Sequence, residues 1–301
     1  MRLRLGARGS ALSLAQATLV QNALGGEETI ELVTVKTTGD RLSAEGKPIG
    51  WKGDFTRELD EALLNGRVDF AVHSLKDVPS VLPEGLVLAV VPRREDPRDV
   101  LVSHPRRRLE ELPAGARVGT SSPRRKAQVR AARPDLEVLE ARGNVDTRIR
   151  RMREGRFDAI VLARAGLARL GRLEEIVEVF DESVLLPAVT QGALGIVTRR
   201  DDAATAAVVR PLDHAASHAE ALAERAFLAR LQAGCRAPVA GRARAEVGAL
   251  SLDGAVFSPD GARILRGARQ GTVADPEGVG RALADELLNR GAAELIAAAE
   301  G

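Results

Sequence analysis

A chain of 301 residues, 45% of them apolar, has enough material for two or three packed domains, so disorder is not the starting point. The net charge is only +2, no apolar run approaches the ~18 residues of a membrane span, and the single cysteine, Cys235, excludes an internal disulfide. Aromatic residues make up 2% and tyrosine is absent, which leaves little to stack on bases, so nucleic acid is not an expected partner although the cations are mostly arginine. Met1 to Gly6 is basic, but Arg8, Gly9 and Ser10 interrupt any apolar signal segment, which predicts a cytoplasmic protein with no membrane partner.

Leu3-Arg4-Leu5 reads as a strand closed by Gly6, and Ser10 as the cap of a helix reaching Leu24. A strand over 29–36 ends at Thr38-Gly39-Asp40, a loop over 41–53 follows, and Asp54 starts a helix that stops at Gly66. Residues 68–72 are apolar, β-branched and aromatic, as a short buried strand should be. His73-Ser74-Leu75-Lys76-Asp77 comes next, and Pro79 stops regular structure. In an open α/β sheet this is the carboxyl end of a strand, where ligands bind. Asp77 could equally be the cap of a turn.

The following stretch replays that plan. Residues 117–119 end a strand at Gly119, residues 136–141 run into Arg142-Gly143-Asn144, and a helix to Glu154 leads to Gly155-Arg156-Phe157-Asp158, which aligns with Gly66-Arg67-Val68-Asp69. Three landmarks in one order predict two similar α/β lobes. The segment 92–99 reads as their connection, and a strand over 194–198, behind Gln191-Gly192, as a second crossing. From Pro211 the texture changes to an alanine-rich helix ending near Gln232, then Gly234-Cys235-Arg236, and short strands meeting at Asp253-Gly254 and Asp260-Gly261. Helices over 276–289 and 292–299 complete a small α+β third domain with an antiparallel sheet. The predicted domains are 1–94 with 193–211, 95–192, and 212–301.

Gly119-Thr120-Ser121-Ser122-Pro123-Arg124-Arg125 is the best local anion site, with Ser122 placed to cap, Pro123 at the first helical position and free backbone N–H groups beside two arginines. Arg142 to Arg148 repeats the design with Asn144 as cap, Arg8 with Ser10 is a third version, and Arg169 after Gly166 a fourth. Each alone is more often structural. Together, at strand ends of two lobes, they suit a ligand with several carboxylates or phosphates, and no phosphate-binding P-loop sequence is present. Asp77 is the odd carboxylate in that set. It fits a reaction that passes through positive charge. His73 could be an acid, a base or a structural hydrogen-bonder, and Cys235 either a buried small hydrophobe or a reactive thiol. His214 and His218 share a helix face but lack a third ligand, so no metal is expected. A two-lobed anion sensor would account for the lobes and the arginines, but not for Asp77 or Cys235.

Val72-His73-Ser74-Leu75-Lys76-Asp77-Val78-Pro79, Val118-Gly119-Thr120-Ser121-Ser122 with Arg124-Arg125, Arg142-Gly143-Asn144-Val145 and Gly234-Cys235 occur in the order in which similar motifs occur in the porphobilinogen deaminase (hydroxymethylbilane synthase) family. The chain resembles that family over essentially its whole length. The resemblance implies an α/β fold of two periplasmic-binding-protein-like lobes plus the third domain, and a monomer. It implies a dipyrromethane cofactor on Cys235 through a thioether, on which four porphobilinogen units are deaminated and joined before the linear tetrapyrrole is released. Asp77 would hydrogen-bond pyrrole N–H groups and stabilise the azafulvenium cation as ammonia leaves. Arg8, Arg124, Arg125, Arg142, Arg148 and Arg169 would hold acetate and propionate groups, assisted by Lys76, Ser10, Thr120, Ser122 and Gln191, with Lys52 and Phe55 in a lid loop. Trp51 stands where that loop often has glycine, and Pro123 where the family often has leucine.

Overall fold

The computed structural model describes residues 2–44, 52–233 and 237–300. Trp51, Gly234, Cys235 and Arg236 lie outside the described residues, as does the side chain of Lys52. The chain begins β1 (Leu3–Arg8), α1 (Ala11–Ala23), β2 (Ile30–Val35), α2 (Thr38–Ala44), α3 (Arg57–Leu64), β3 (Phe70–Ser74) and β4 (Leu86–Val90). It continues with β5 (Asp99–Ser103), β6 (Arg117–Gly119), α4 (Pro123–Ala132), β7 (Glu137–Leu139), α5 (Val145–Arg153), β8 (Ala159–Ala163), α6 (Arg164–Arg169) and β9 (Glu178–Val179). Then come β10 (Leu194–Arg199), α7 (Ala203–Val209), α8 (Ala215–Arg230), β11 (Val239–Glu246), β12 (Ala249–Phe257), β13 (Ile264–Thr272), α9 (Pro276–Asn289) and α10 (Ala292–Glu300). Two compact units result, Met1–Glu95 with Gly192–His218, and Asp96–Gln191 with Ala219–Gly301.

The first unit holds a five-stranded sheet in the order β2-β1-β3-β10-β4. β1 runs parallel to β2 and β3, whereas β10 is antiparallel to both β3 and β4. Both faces are buried, as the apolar strands require. Phe70 and Val72 pack with Ala17 and Val20 of α1 on one face, and Ala71 packs with Leu59 and Leu63 of α3 on the other.

In the second unit the order is β7-β6-β8-β5-β9, with β6 parallel to β7 and β8, and β5 antiparallel to β8 and β9. Strand for strand this is the plan of the first sheet, with one return strand, β10 or β5, inserted between the third and fourth. The repeat extends to side chains. Asp69 accepts from the backbone N–H of Arg4 (2.7 Å) and from its guanidinium, and Asp158 does the same for Arg117 (2.7 Å). The helices before β3 and β8 both end on a glycine at positive φ, Gly66 (64°) and Gly155 (77°), the left-handed residue that closes a helix C-terminus.

The second unit also carries the antiparallel sheet β11-β12-β13, covered by α8, α9 and α10 around Phe227, Leu252, Val256, Leu283 and Leu287. Here one expectation fails. Asp253-Gly254 is not a turn but lies inside β12, where Gly241, Gly254 and Gly267 sit side by side across the sheet. A Cβ on Gly254 would come within 2.7 Å of the Phe227 ring, so the glycine is kept by side chains packed onto the strand rather than by a turn. The turn falls instead at Val247-Gly248, both at positive φ, while Asp260-Gly261 is a turn as expected.

Other boundaries shift for local reasons. The strand expected over 68–72 is Phe70–Ser74, because Asp69 is engaged with Arg4 at its start. The helix expected from Asp54 is a 3-10 turn at Lys52–Phe55 followed by α3, and the loop from residue 41 begins inside α2. Asp99, placed in the connecting segment by the sequence reading, opens β5. The crossing strand expected over 194–198 is β10. No helix among the described residues is long and apolar enough to cross a membrane.

Candidate active site

At the carboxyl ends of β1 and β3 the first unit encloses a cavity of about 40 Å³ lined by Arg8, Ser10, Gln16, Phe55, His73 and Asp77 among others. Five of these, Arg8, Ser10, Phe55, His73 and Asp77, were singled out in the sequence, and they come together although they lie up to 69 positions apart. Ser10 caps α1 by accepting from the Ser13 N–H (3.3 Å), and the Ser13 hydroxyl accepts from the Arg8 N–H (3.1 Å). That pair fixes the path of the chain where it leaves β1.

The Arg8 guanidinium forks onto Asp40 (2.5 and 3.2 Å) and lies 4.1 Å over the centre of the Phe55 ring. Burial pushes the Asp40 carboxyl up, but the Arg8 hydrogen bonds outweigh it and hold the pKa below the usual carboxylate value. Arg8 is thus oriented, and its charge largely compensated, before any ligand arrives. Asp77 is different. It sits in the 3-10 turn Leu75–Asp77, half-buried, and its carboxylate makes no hydrogen bond or ion pair with any described residue. Lys76 precedes it in the same turn.

Gln16 and Ser74, not anticipated from sequence, hydrogen-bond to one another across the cavity wall (2.8 and 3.2 Å). Asp40 was placed at a strand end but not paired with Arg8; its signal is the Thr37-to-Asp40 spacing, which lets the Thr37 hydroxyl donate to it (2.8 Å). Behind the cavity, Asp60 on α3 is buried and its carboxyl is pushed up to about 6, by desolvation above all.

The second unit uses its corresponding ends otherwise. Ser122 caps α4 by accepting from the Arg125 N–H (3.4 Å), Pro123 is the first helical residue, and the buried Thr120 hydroxyl accepts from the Ser122 N–H (3.2 Å). Arg124 and Arg125 turn inward. Both bind Asp99, at 2.6 and 2.7 Å, and all three are buried. Burial opposes the Asp99 charge, yet two guanidiniums hold its carboxyl far below the ordinary value. Gln191 donates to Asp99 (2.8 Å) and to the Pro97 carbonyl (2.7 Å). The sequence reading missed Asp99, whose one signal is an acidic residue leading directly into the apolar run Val100-Leu101-Val102.

Arg142 and Arg148 stay half-buried at the β7 and α5 ends, Arg142 beside Glu140 (3.1 Å) and Arg148 donating to the Gly143 carbonyl (2.8 Å). Asn144 caps α5 at the Thr147 N–H (2.9 Å) as expected, and half-buried Arg169 closes α6. Cys235 and the side chain of Lys52 lie outside the described residues.

This arrangement has relatives. A family model described as porphobilinogen deaminase, dipyromethane cofactor binding domain, matches residues 3–207, and one described as porphobilinogen deaminase, C-terminal domain, matches residues 218–289. The chain belongs to the porphobilinogen deaminase family. It is 51% identical over 302 residues to the porphobilinogen deaminase of Rubrobacter xylanophilus, covering 100% of this chain and 98% of that protein. To the porphobilinogen deaminase of Roseiflexus castenholzii it is 50% identical over 299 residues, 98% of each. Among solved structures, a putative methionine-binding lipoprotein from Bacillus subtilis matches 70% of this chain and 89% of that one, at 14% identity and a TM-score of 0.43. The family's cofactor-binding match spans the Asp77 cavity and the turns at Thr120, Arg142 and Arg169, while Cys235 falls in the C-terminal match.

Proposed function

We propose that the chain is a hydroxymethylbilane synthase, which deaminates porphobilinogen, joins four units head to tail on a covalent dipyrromethane primer, and releases hydroxymethylbilane and ammonia. Family membership across nearly the whole length supports the reaction class. The observation that carries the assignment to a site is the Asp77 carboxylate, unpaired among the described residues, in one cavity with an arginine already paired with another acid.

The residues present fit a pyrrole ligand bearing carboxylates. Asp77 offers an acceptor to pyrrole N–H groups and a negative charge where the departure of ammonia leaves the ring positive. Its charge is not drained by Arg8, because Asp40 takes that cation first. Arg142, Arg148 and Arg169 present guanidiniums suited to acetate and propionate groups, with Thr120 and Ser122 shaping the turn between them. Arg124, Arg125 and Gln191 support the Thr120–Ser122 turn from beneath through their bonds to Asp99. Bound dipyrromethane supplies the pyrrole carbon to which the first unit is joined. Cys235 is the attachment point through a thioether, in a C-terminal domain beginning near residue 212; Phe55 lines the cavity with Asp77, Lys76 precedes Asp77 in its turn, and Lys52 belongs with Phe55 to the lid loop. The enzyme works as a cytoplasmic monomer without nucleic acid or membrane.

Intact mass of the purified chain tests the reading. The expected result is an adduct the size of a dipyrrole, lost in Cys235→Ser; an unmodified chain that makes product would remove the covalent cofactor. Asp77→Asn should keep the fold and the adduct while turnover falls by roughly 10²-fold or more. Near-normal turnover would refute the role given to Asp77.

A further inference from the structure

The first turn of α2 contains a glycine that its helix does not ask for. Gly39 is buried and its φ is not positive, so an alanine would suit the backbone and, having less freedom to lose on folding, would stabilise it. Gly143 is the matching residue of the second unit, since each glycine lies four positions beyond the end of a strand, Val35 or Leu139. Gly143 stands at a φ of 105°, where the backbone alone calls for glycine. What keeps Gly39 is the Phe55 ring. A Cβ on Gly39 would lie 2.3 Å from Cδ1, 2.6 Å from Cε1 and 2.8 Å from Cγ of Phe55, far inside contact distance.

Both partners of that contact are held from other sides. The face of the ring carries the Arg8 guanidinium at 4.1 Å. Next to Gly39, Asp40 takes the edge of the same guanidinium through Nε and one Nη, and the Thr37 hydroxyl fixes the Asp40 carboxylate (2.8 Å). On the other side of Gly39, Thr38 donates to Glu58 through its N–H (3.0 Å) and its hydroxyl (2.6 Å). Glu58 follows Phe55 by three positions, so the Phe55 segment and the first turn of α2 are clipped together. A side chain at position 39 therefore displaces the ring rather than the helix.

We infer that Gly39 is a positioning residue for the Asp77 cavity: its bare Cα is the seat that lets Phe55 lie over Arg8. The single turn 37–40 then fixes the cation twice, by its edge through Asp40 and by its face through the seated ring. Arg8, Phe55 and Asp77 line one cavity, so a ring pushed off its seat alters both the shape of that cavity and the hold on its cation. For what the cavity receives, the inference rests on the reading of the chain as a porphobilinogen-condensing enzyme; the contact itself does not.

The test is a cycle of Gly39→Ala, Phe55→Ala and the double variant in the full chain, read by thermal unfolding and by porphobilinogen kinetics. Gly39→Ala is expected to lower the melting temperature while Phe55 is present and to raise it by about 1–2 °C once Phe55 is alanine, the reversal that a seat for the ring demands. KM for porphobilinogen should rise about 3- to 10-fold in Gly39→Ala, the loss of one cation–π contact, with kcat little changed. Adding Gly39→Ala to Phe55→Ala should raise KM no further. If Gly39→Ala alone does not fold, a double variant that folds supports the seat, and one that also fails to fold overturns it. A melting temperature raised in both backgrounds, or effects on KM that simply multiply, overturns it as well. A wild-type chain that makes no hydroxymethylbilane removes the functional reading even where the stability reversal stands, whereas an active chain without the reversal removes this inference alone.

Discussion

The two five-stranded sheets are built alike and finished differently. Both have the same strand order, the same Arg–Asp clasp at the first strand and the same glycine closing the helix before the third. At the strand ends they part. The second unit packs Arg124 and Arg125 onto Asp99, Gln191 donates to the same carboxylate, and the cluster is buried. The first unit has a partly buried Arg8–Asp40 pair, an Asp77 carboxylate and a His73 nitrogen without partners among the described residues, and a buried Asp60 whose carboxyl resists ionising. One framework thus supports a buried, charge-compensated cluster in one copy and a more open one with an unpaired carboxylate among the described residues in the other. Local discomfort of this kind is what chemistry needs and stability alone would remove.

That contrast can be broken by experiment. The largest expected effect is Asp99→Asn, which strands two buried guanidiniums and should destabilise the chain by about 3–5 kcal/mol in denaturant titration; a loss no greater than that of Asp40→Asn would show that the Asp99 cluster is not the stronger structural element. Next comes Asp60→Asn. The folded carboxyl titrates near 6 against about 4 unfolded, so its unfavourable charge is absent well below pH 4 and fully developed above pH 6. The variant should therefore gain roughly 2 kcal/mol over wild type at pH 8 and almost nothing at pH 4, measured as two unfolding curves. A gain independent of pH would mean that charge is not the cause. Smallest are the clasps. Asp69→Asn should cost more than Asp158→Asn, since Asp69 is the less exposed of the two (8% against 38%) and has Arg199 at 3.8 Å as well. The reverse order of melting temperatures would deny the first clasp its greater burial.

Local signals were well read from the sequence. Ser10, Ser122 and Asn144 are caps because a short polar side chain three residues before an unpaired N–H can hardly be anything else. The repeat was visible because its glycines and Arg–Asp pairs recur in order. What escaped was non-local. Nothing near Asp99 in the chain names Arg124 and Arg125 as its partners, and the bond between Gln16 and Ser74 joins residues 58 apart. β4, β5 and β9 went unpredicted, β9 being only two residues long. Asp253-Gly254 is a sound turn signal in isolation, overruled by the Phe227 ring that presses on the strand.

The inserted return strand has a consequence for synthesis. Among the described residues β4 pairs with no strand but β10, so the sheet begun by β1 and β2 keeps an open edge at β3 until residue 199 has emerged. The second sheet needs nothing made later than β9. Between the two five-stranded sheets, birth order and completion order are therefore reversed: the one that leads to Asp77 is translated first and completed second, with Ser74, the residue three before it, joined to Leu194 only at that late step.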